Sequence, residues 1–386
     1  MSNFIRNPFV TTPYVPEQFF CDREVETRQL CKHIMNGRNV ALFARRRLGK
    51  TGLIRHCFEQ KEIRENFNTF LIDIYAAGSL REMVAIFANE IFRKSEYFGI
   101  GDRLLQGLKS LRPQIEYSQL TGSVSFTPVI GDIRYPEKTL EELMEILDSG
   151  KKPCVIAIDE FQKIREFKED NMEAYLRTVV QKCRNITFVF TGSITHSMTN
   201  MFTSPAKPFY NSAVQMGIDV IDRNVYRDFV QKMFSEYGRG KEIDDGLIFY
   251  CYDYFSGVTW YIQLLMNEAF AMGVLGKKLV VKDFDAIYSS IIAQQHFSYS
   301  EQFSRYSEKQ KALLQALSLE GVGGAGVTSE QFLTKYSLGS ASSVQTACNS
   351  LMDKGVVAEY GGKKQISDLI FSEWLRRSLQ THIEKK

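Results

Sequence analysis

The chain has 386 residues, 44% hydrophobic and 24% charged, enough for two or three domains with apolar cores. Its formal net charge of +3 is too small to mark a nucleic-acid binder by field alone. Seven scattered cysteines without metal-ligand spacing read as reduced thiols rather than a disulfide framework or zinc site. Neither an N-terminal signal core nor a run of ~18 apolar residues points to a membrane, so the cytoplasm is the expected compartment.

The first strong element is the strand-like run Asn39-Val40-Ala41-Leu42-Phe43. It leads into Ala44-Arg45-Arg46-Arg47-Leu48-Gly49-Lys50-Thr51-Gly52, and a helix is expected from there on. A triphosphate needs backbone N–H groups aimed at its oxygens, a mobile cation, and a hydroxyl beside its magnesium. Gly49 lets the backbone approach, Lys50 brings a point charge, and Thr51 opens a helix whose positive end faces the anion. Phe70 to Tyr75 reads as a second strand, followed by a helix across Leu80 to Phe92. Residues 95 to 135 read as an insertion, with a helix near Leu104 to Leu111 and a hairpin around Ser123 to Ile130.

Helix Leu140 to Leu147 leads into Cys154-Val155-Ile156-Ala157-Ile158, which ends in Asp159-Glu160. A carboxylate at the tip of a buried strand is an expensive placement unless it has work to do. Asp159 suits the magnesium shell and Glu160 the polarisation of an attacking water. The plainer alternatives are a helix N-cap for the acidic pair and a solvated side chain for Lys50. Helix Met172 to Cys183 then precedes the strand Ile186 to Phe190, which ends in Thr191-Gly192-Ser193. Hydroxyls there stand beside the acidic pair, although Ser and Thr are also ordinary turn residues.

From Asp222 the alternation of strand and helix stops. Helices are expected over Val225–Tyr237, Asp244–Tyr254, Val258–Met272 and Val281–Ala293, forming a helical lid. The last unit starts near Glu301, with helices Glu308–Leu319, Ser329–Tyr336 and Ser340–Lys354. A hairpin with its turn at Gly361-Gly362 follows, and the whole reads as a winged helix. The expected recognition helix from Ala341 to Asp353 contains no Lys or Arg, so readout of bases would rest on Gln345 and Asn349. Lys363 and Lys364 at the wing could touch a phosphate backbone. Protein contact is favoured over DNA for this unit.

Phe20-Cys21-Asp22-Arg23-Glu24-Val25-Glu26, the Arg46–Thr51 loop, Ile158 to Ile164, and Val189-Phe190-Thr191-Gly192-Ser193 together resemble the archaeal-type ATPase family. That family lies in the signal-transducing (STAND) branch of the P-loop ATPases, which are relatives of the AAA+ and origin-recognition ATPases. The resemblance implies an α/β P-loop NTPase fold, AAA+-like, with a parallel sheet covered by helices, a helical lid and a C-terminal winged helix. It divides the chain at 1–221, 222–300 and 301–386. It also implies ATP and Mg2+ as ligands, with residues 44–52 and Asp159 on the nucleotide and Thr51 and Asp159 on the metal. Lys50, Glu160 and the sensor Ser193 would be catalytic. Two features depart from the family. Ser256-Gly257-Val258-Thr259-Trp260-Tyr261 loses the proline of the lid motif Gly-Gly-x-Pro-x-Tyr, and Asn211 stands where an arginine is expected. A slow ATPase acting as a nucleotide-controlled switch follows, with an unidentified protein partner or a second copy of the chain. The alternatives are an ATP-regulated DNA-binding loader and a nucleotide-binding module without hydrolysis.

Overall fold

Val40–Ala44 (β1) is buried along its whole length, as expected for a strand covered on both faces. In the computed structural model it is flanked by two parallel neighbours, giving a five-stranded sheet in the order β2-β5-β6-β1-β7. The other strands are Asn68–Asp73 (β2), Cys154–Asp159 (β5), Ile186–Ser193 (β6) and Val214–Ile218 (β7). An antiparallel pair, Gln114–Tyr117 (β3) and Val124–Thr127 (β4), stands apart from this sheet. The structure describes residues 7–11, 16–108, 114–117, 124–127, 133–193, 196–321, 324–360 and 362–383. The remainder of the expected hairpin, including Ser123 and residues 128–130, lies outside them.

The chain divides into two compact units, Met1–Lys278 and Leu279–Lys386. In the first, α1 (Glu24–Met35), α2 (Lys50–Glu59) and α3 (Lys61–Asn66) precede β2, while α4 (Leu80–Phe98) and α5 (Gly101–Gly107) follow it. Next come α6 (Pro136–Asp148), α7 (Met172–Lys182) and α8 (His196–Thr203). One face of the sheet, through Ala41, Phe43, Phe70, Ile156 and Phe188, shares a core with α4, α6 and α7. Strand side chains alternate in direction, so α1 and α2, which also pack on β1, cover the opposite face. Three further helices, α9 (Arg223–Tyr237), α10 (Asp245–Tyr254) and α11 (Thr259–Met272), complete this unit. Asp222 caps α9 by accepting from the amides of Asn224 and Val225 at 2.8 and 3.1 Å, and Asp244 caps α10 at Gly246.

The second unit opens with a 3-10 turn and α12 (Phe284–Ser304), which contains most of the expected Val281–Ala293 helix. It continues through α13 (Glu308–Glu320), α14 (Glu330–Tyr336) and α15 (Ala341–Asp353). Ser307, Ser329 and Ser340 cap these three helices, and Ser307 forms a reciprocal box with Gln310. The strands Val357–Tyr360 and Lys363–Ile366 then pair antiparallel. Several elements exceed the sequence expectation, α1, α3 and α8 among them. β7 is an edge strand whose burial alternates, and α16 (Leu369–Ile383) follows the hairpin and packs on α13. No helix among the described residues is long and apolar enough to cross a membrane.

Candidate functional site

The strand tips bring the site together. Ala44 is level with Ser193 on β6, and Asp73 is level with Asp159 across β2 and β5. Ala44 ends its strand in ordinary extended geometry and is fully buried, so a glycine is not needed there. The left-handed positions of the loop are Arg47 at φ 68° and Gly49 at φ 91°. Gly49 suits the second, and a Cβ on it would meet nothing within 4 Å, so backbone there borders open space. Three carbonyls of the loop have donors. Arg47 O accepts from the Trp260 amide at 3.0 Å, while Leu48 O and Ala44 O receive long 3.5 Å contacts from Arg23 and Lys50. Arg23, itself buried and paired with Glu26 at 2.8 Å, braces the loop from behind.

Asp159 is 5% exposed, and two hydroxyls hold its carboxylate. Thr51 Oγ1 donates to Oδ2 at 2.7 Å and Thr191 Oγ1 donates to Oδ1 at 2.8 Å. These are hard oxygens, and Thr51 and Asp159 meet at hydrogen-bond distance. Such a sparse set fits Mg2+, which keeps most of its shell for water and substrate phosphates. Glu160 follows at φ 57°, a left-handed position for a residue with a Cβ. It is held there because Phe161 is buried among Phe190, Phe202 and Phe209, with centroids 4.6 Å from Phe190 and 5.2 Å from Phe209. The Gln162 amide donates to Glu160 Oε2, and Gln162 Oε1 lies against Gly192. The sequence motif contained Gln162 but gave no role for it. The Ser193 side chain lies outside the described residues.

A Cβ at Gly192 would stand 2.2 Å from Gln162 Oε1 and 3.1 Å from the Met198 side chain. Gln162 Oε1 is the end of a flexible side chain, but the Met198 Cγ and Sδ belong to a fully buried one. Gly192→Ala is therefore expected to cost about 1–3 kcal/mol of stability while displacing the amide from Glu160. Comparing melting temperature with ATP turnover checks this, since turnover is expected to fall about tenfold.

Burial draws the Lys50 pKa below the usual lysine value. Glu160 and then Asp159 support it, and the Arg46 charge depresses it further. Asp73, which the sequence marked only as part of a strand, is a third acid at this edge. Burial raises its pKa, the Tyr75 amide at 2.8 Å lowers it, and Asp159 pushes it up.

The Arg47 side chain packs on α11. Its guanidinium lies 4.5 Å from the Trp260 ring centroid and 4.7 Å from that of Tyr261, and Nη1 donates to the Tyr261 hydroxyl. Helix α11 has no side-chain N-cap, and the carbonyl of Arg47 receives the N–H of Trp260 in its first turn. The lid motif that lost its proline is thus tied to the loop through its tryptophan and tyrosine. Lys207, the only Lys or Arg between Arg184 and Arg223, lies 3.7 Å from Glu173.

Residues 20–265 match the family described as an ATPase domain predominantly from Archaea. The chain belongs to that family. Residues 297–377 of this archaeal-type ATPase match a probable winged helix domain. Among solved structures, a Walker-type ATPase of Pyrococcus abyssi is similar at 17% identity and TM-score 0.60, over 96% of this chain and 99% of that one. The ORC1 protein of Aeropyrum pernix, solved in complex with DNA, is similar at 14% identity and TM-score 0.57, over all of both chains. The ORC2 protein of the same organism, in ADPNP and ADP complexes, gives 13% identity and TM-score 0.56, over 99% and 98%. No curated protein matches the sequence. The archaeal-type ATPase therefore has the expected P-loop fold, with helices around a parallel sheet and a C-terminal winged helix.

Proposed function

We propose that this protein binds Mg-ATP, hydrolyses it slowly, and works as a nucleotide-controlled switch of the STAND type in the cytoplasm. The observation that carries the reading is the bridge from Thr51 through Asp159 to Thr191, which joins the phosphate loop to the acidic strand β5 and to its neighbour β6. In this reading residues 44–52 cradle the phosphates, Lys50 reaches the terminal ones, and Thr51 and Asp159 hold the metal. Glu160 accepts the proton of the attacking water, and Ser193 senses the terminal phosphate. When bound, the metal would supply positive charge to offset that of the phosphates.

The switch arises because the lid begins at residue 222 and α11 is fastened to Arg47. A phosphate seated in the loop shifts Arg47 and, with it, Trp260. Output passes to a protein partner or a second copy of this chain through the winged helix. DNA is disfavoured as the target: Gln345 is engaged by Asn349 at 2.7 Å, and Lys364 pairs with Glu359.

The chain has two tryptophans, so Trp374→Phe leaves Trp260 as the sole reporter. Its emission is expected to change saturably with Mg-ATP. Calorimetric ATP binding with no change in Trp260 emission would sink the switch while leaving binding intact.

A further inference from the structure

We propose that a two-loop tip on the first unit attaches this protein, weakly and reversibly, to the surface of a membrane carrying anionic lipid. The inference stands apart from the ATPase reading. The tip joins the turn after α9, residues 238–241, to the loop after α11, residues 273–278. The Gly276 N–H donates to the Gly240 carbonyl at 3.1 Å and Lys241 Nζ donates to the Phe270 carbonyl at 2.7 Å, so the two are held together.

Apolar side chains here face water. Val274 is 59% exposed and Leu275 72%, which makes Leu275 the most exposed aliphatic side chain among the described residues. Every residue from Val274 to Lys278 is exposed, as are Arg239 and Gly240, so the tip projects from the surface. Charge around it is one-sided. Residues 238–241 and 269–278 contain Arg239, Lys241, Lys277 and Lys278 and no Asp or Glu. Lys278 pairs with Asp244 at 3.3 Å, whereas Arg239 and Lys277 make no hydrogen bond or ion pair among the described residues. Arg239 also sits at φ 50°, a left-handed conformation that glycine or asparagine adopts more easily. A guanidinium kept at a strained, projecting turn is a residue choice that suits a binding surface better than a plain turn.

Leu275 lies over Gly240, the neighbour of Arg239 in the chain. An aliphatic point with unpaired cations beside it matches a layered partner, anionic outside and apolar beneath. A lipid leaflet has that order: its headgroups meet Arg239 and Lys277 while Val274 and Leu275 enter the acyl boundary. A protein partner would need a pocket cut to this tip, and a leaflet needs none. No helix among the described residues is long and apolar enough to span a bilayer, so the attachment proposed is peripheral. Each free cation contributes about fivefold in affinity at such a surface. Two short side chains insert less than one myristoyl chain, which by itself gives about 10⁴ M⁻¹.

The test is co-sedimentation of the full chain with vesicles of phosphatidylcholine, alone or with about one third phosphatidylserine. Wild type is compared with Val274→Ser/Leu275→Ser, Arg239→Gly and Lys277→Gln. Wild type is expected to bind the anionic vesicles and to be released by high salt. The double serine variant should partition about tenfold less, and Arg239→Gly and Lys277→Gln about fivefold less each. Arg239→Gly is expected to melt no lower than wild type, because glycine relieves the strained turn. No binding to anionic vesicles, equal binding to neutral ones, or binding that ignores the two apolar substitutions would overturn the proposal. Sedimentation without lipid covers the other occupant. A dimer that the double serine variant abolishes would give the tip to a second copy of the chain and overturn the membrane assignment.

Discussion

Lys50→Met is expected to weaken Mg-ATP binding by about 10²-fold or more while raising the melting temperature of the protein without nucleotide. The ammonium is a charge-assisted donor to phosphate oxygens, and methionine keeps the length of the side chain without the charge. The gain in stability follows from burial. Lys50 is 7% exposed, and burial holds its pKa below the ordinary 10.5. A lysine whose folded pKa is lowered costs stability while it is charged in both states. That cost disappears as pH rises from the lowered value towards 10.5. Wild type is therefore expected to gain stability relative to Lys50→Met across that alkaline window. Calorimetric titration with Mg-ATP and melting curves at neutral and alkaline pH check both halves. A variant that binds ATP normally, or melts lower than wild type at pH 7, would contradict this assignment of Lys50.

A residue that destabilises its own fold is a common mark of a binding site, and the same logic governed what could be read from the sequence. The buried strands were legible because β1 and β5 are apolar along their length, and acid at the end of β5 breaks that pattern abruptly. Lys50, Thr51 and Asp159 were found by the chemistry that a triphosphate imposes, and the structure places Thr51 and Asp159 in contact. Other elements were less visible, β7 and α16 among them. β7 has only alternate burial, through Met216 and Ile218, and lies at the sheet edge, so its five residues carry a weak period. For α16 a signal was present: Asp368 accepts from the amides of Ile370 and Phe371, and Phe371, Trp374 and Leu375 follow at helical spacing. Expectation of a winged helix ending at its hairpin obscured it.

The contacts that tune the site lay further beyond reach. Arg47 and Trp260 are separated by more than two hundred residues, and no local pattern announces a cation over a ring. The hold of Gln162 on Glu160 depends on the left-handed turn at Glu160 and on a glycine in another strand. Thr191 and Ser193 could not be ranked by spacing. The structure gives Thr191 to Asp159, which leaves Ser193 as the proposed phosphate sensor.

Glu160→Gln carries the largest expected effect on chemistry. Glutamine preserves shape but cannot take the proton of the attacking water. Its placement at the tip of β5, anchored by Phe161 in the aromatic core, should survive the change. The variant is expected to bind Mg-ATP as wild type does and to lose about 10²-fold or more in turnover. Because Asn211 stands where an arginine is expected after β6, the wild-type rate is expected to be low to begin with. A second copy of the chain is one source of further charge, and it would show as a rate per chain that rises with protein concentration.

The most direct measurement is therefore Mg-dependent ATP turnover by wild type and Glu160→Gln across a range of protein concentrations. A slow wild-type rate that requires magnesium and falls about 10²-fold in the variant is the predicted result. Equal turnover in the two proteins, with ATP bound by both, would contradict the assignment of Glu160 and leave a nucleotide-gated binding protein.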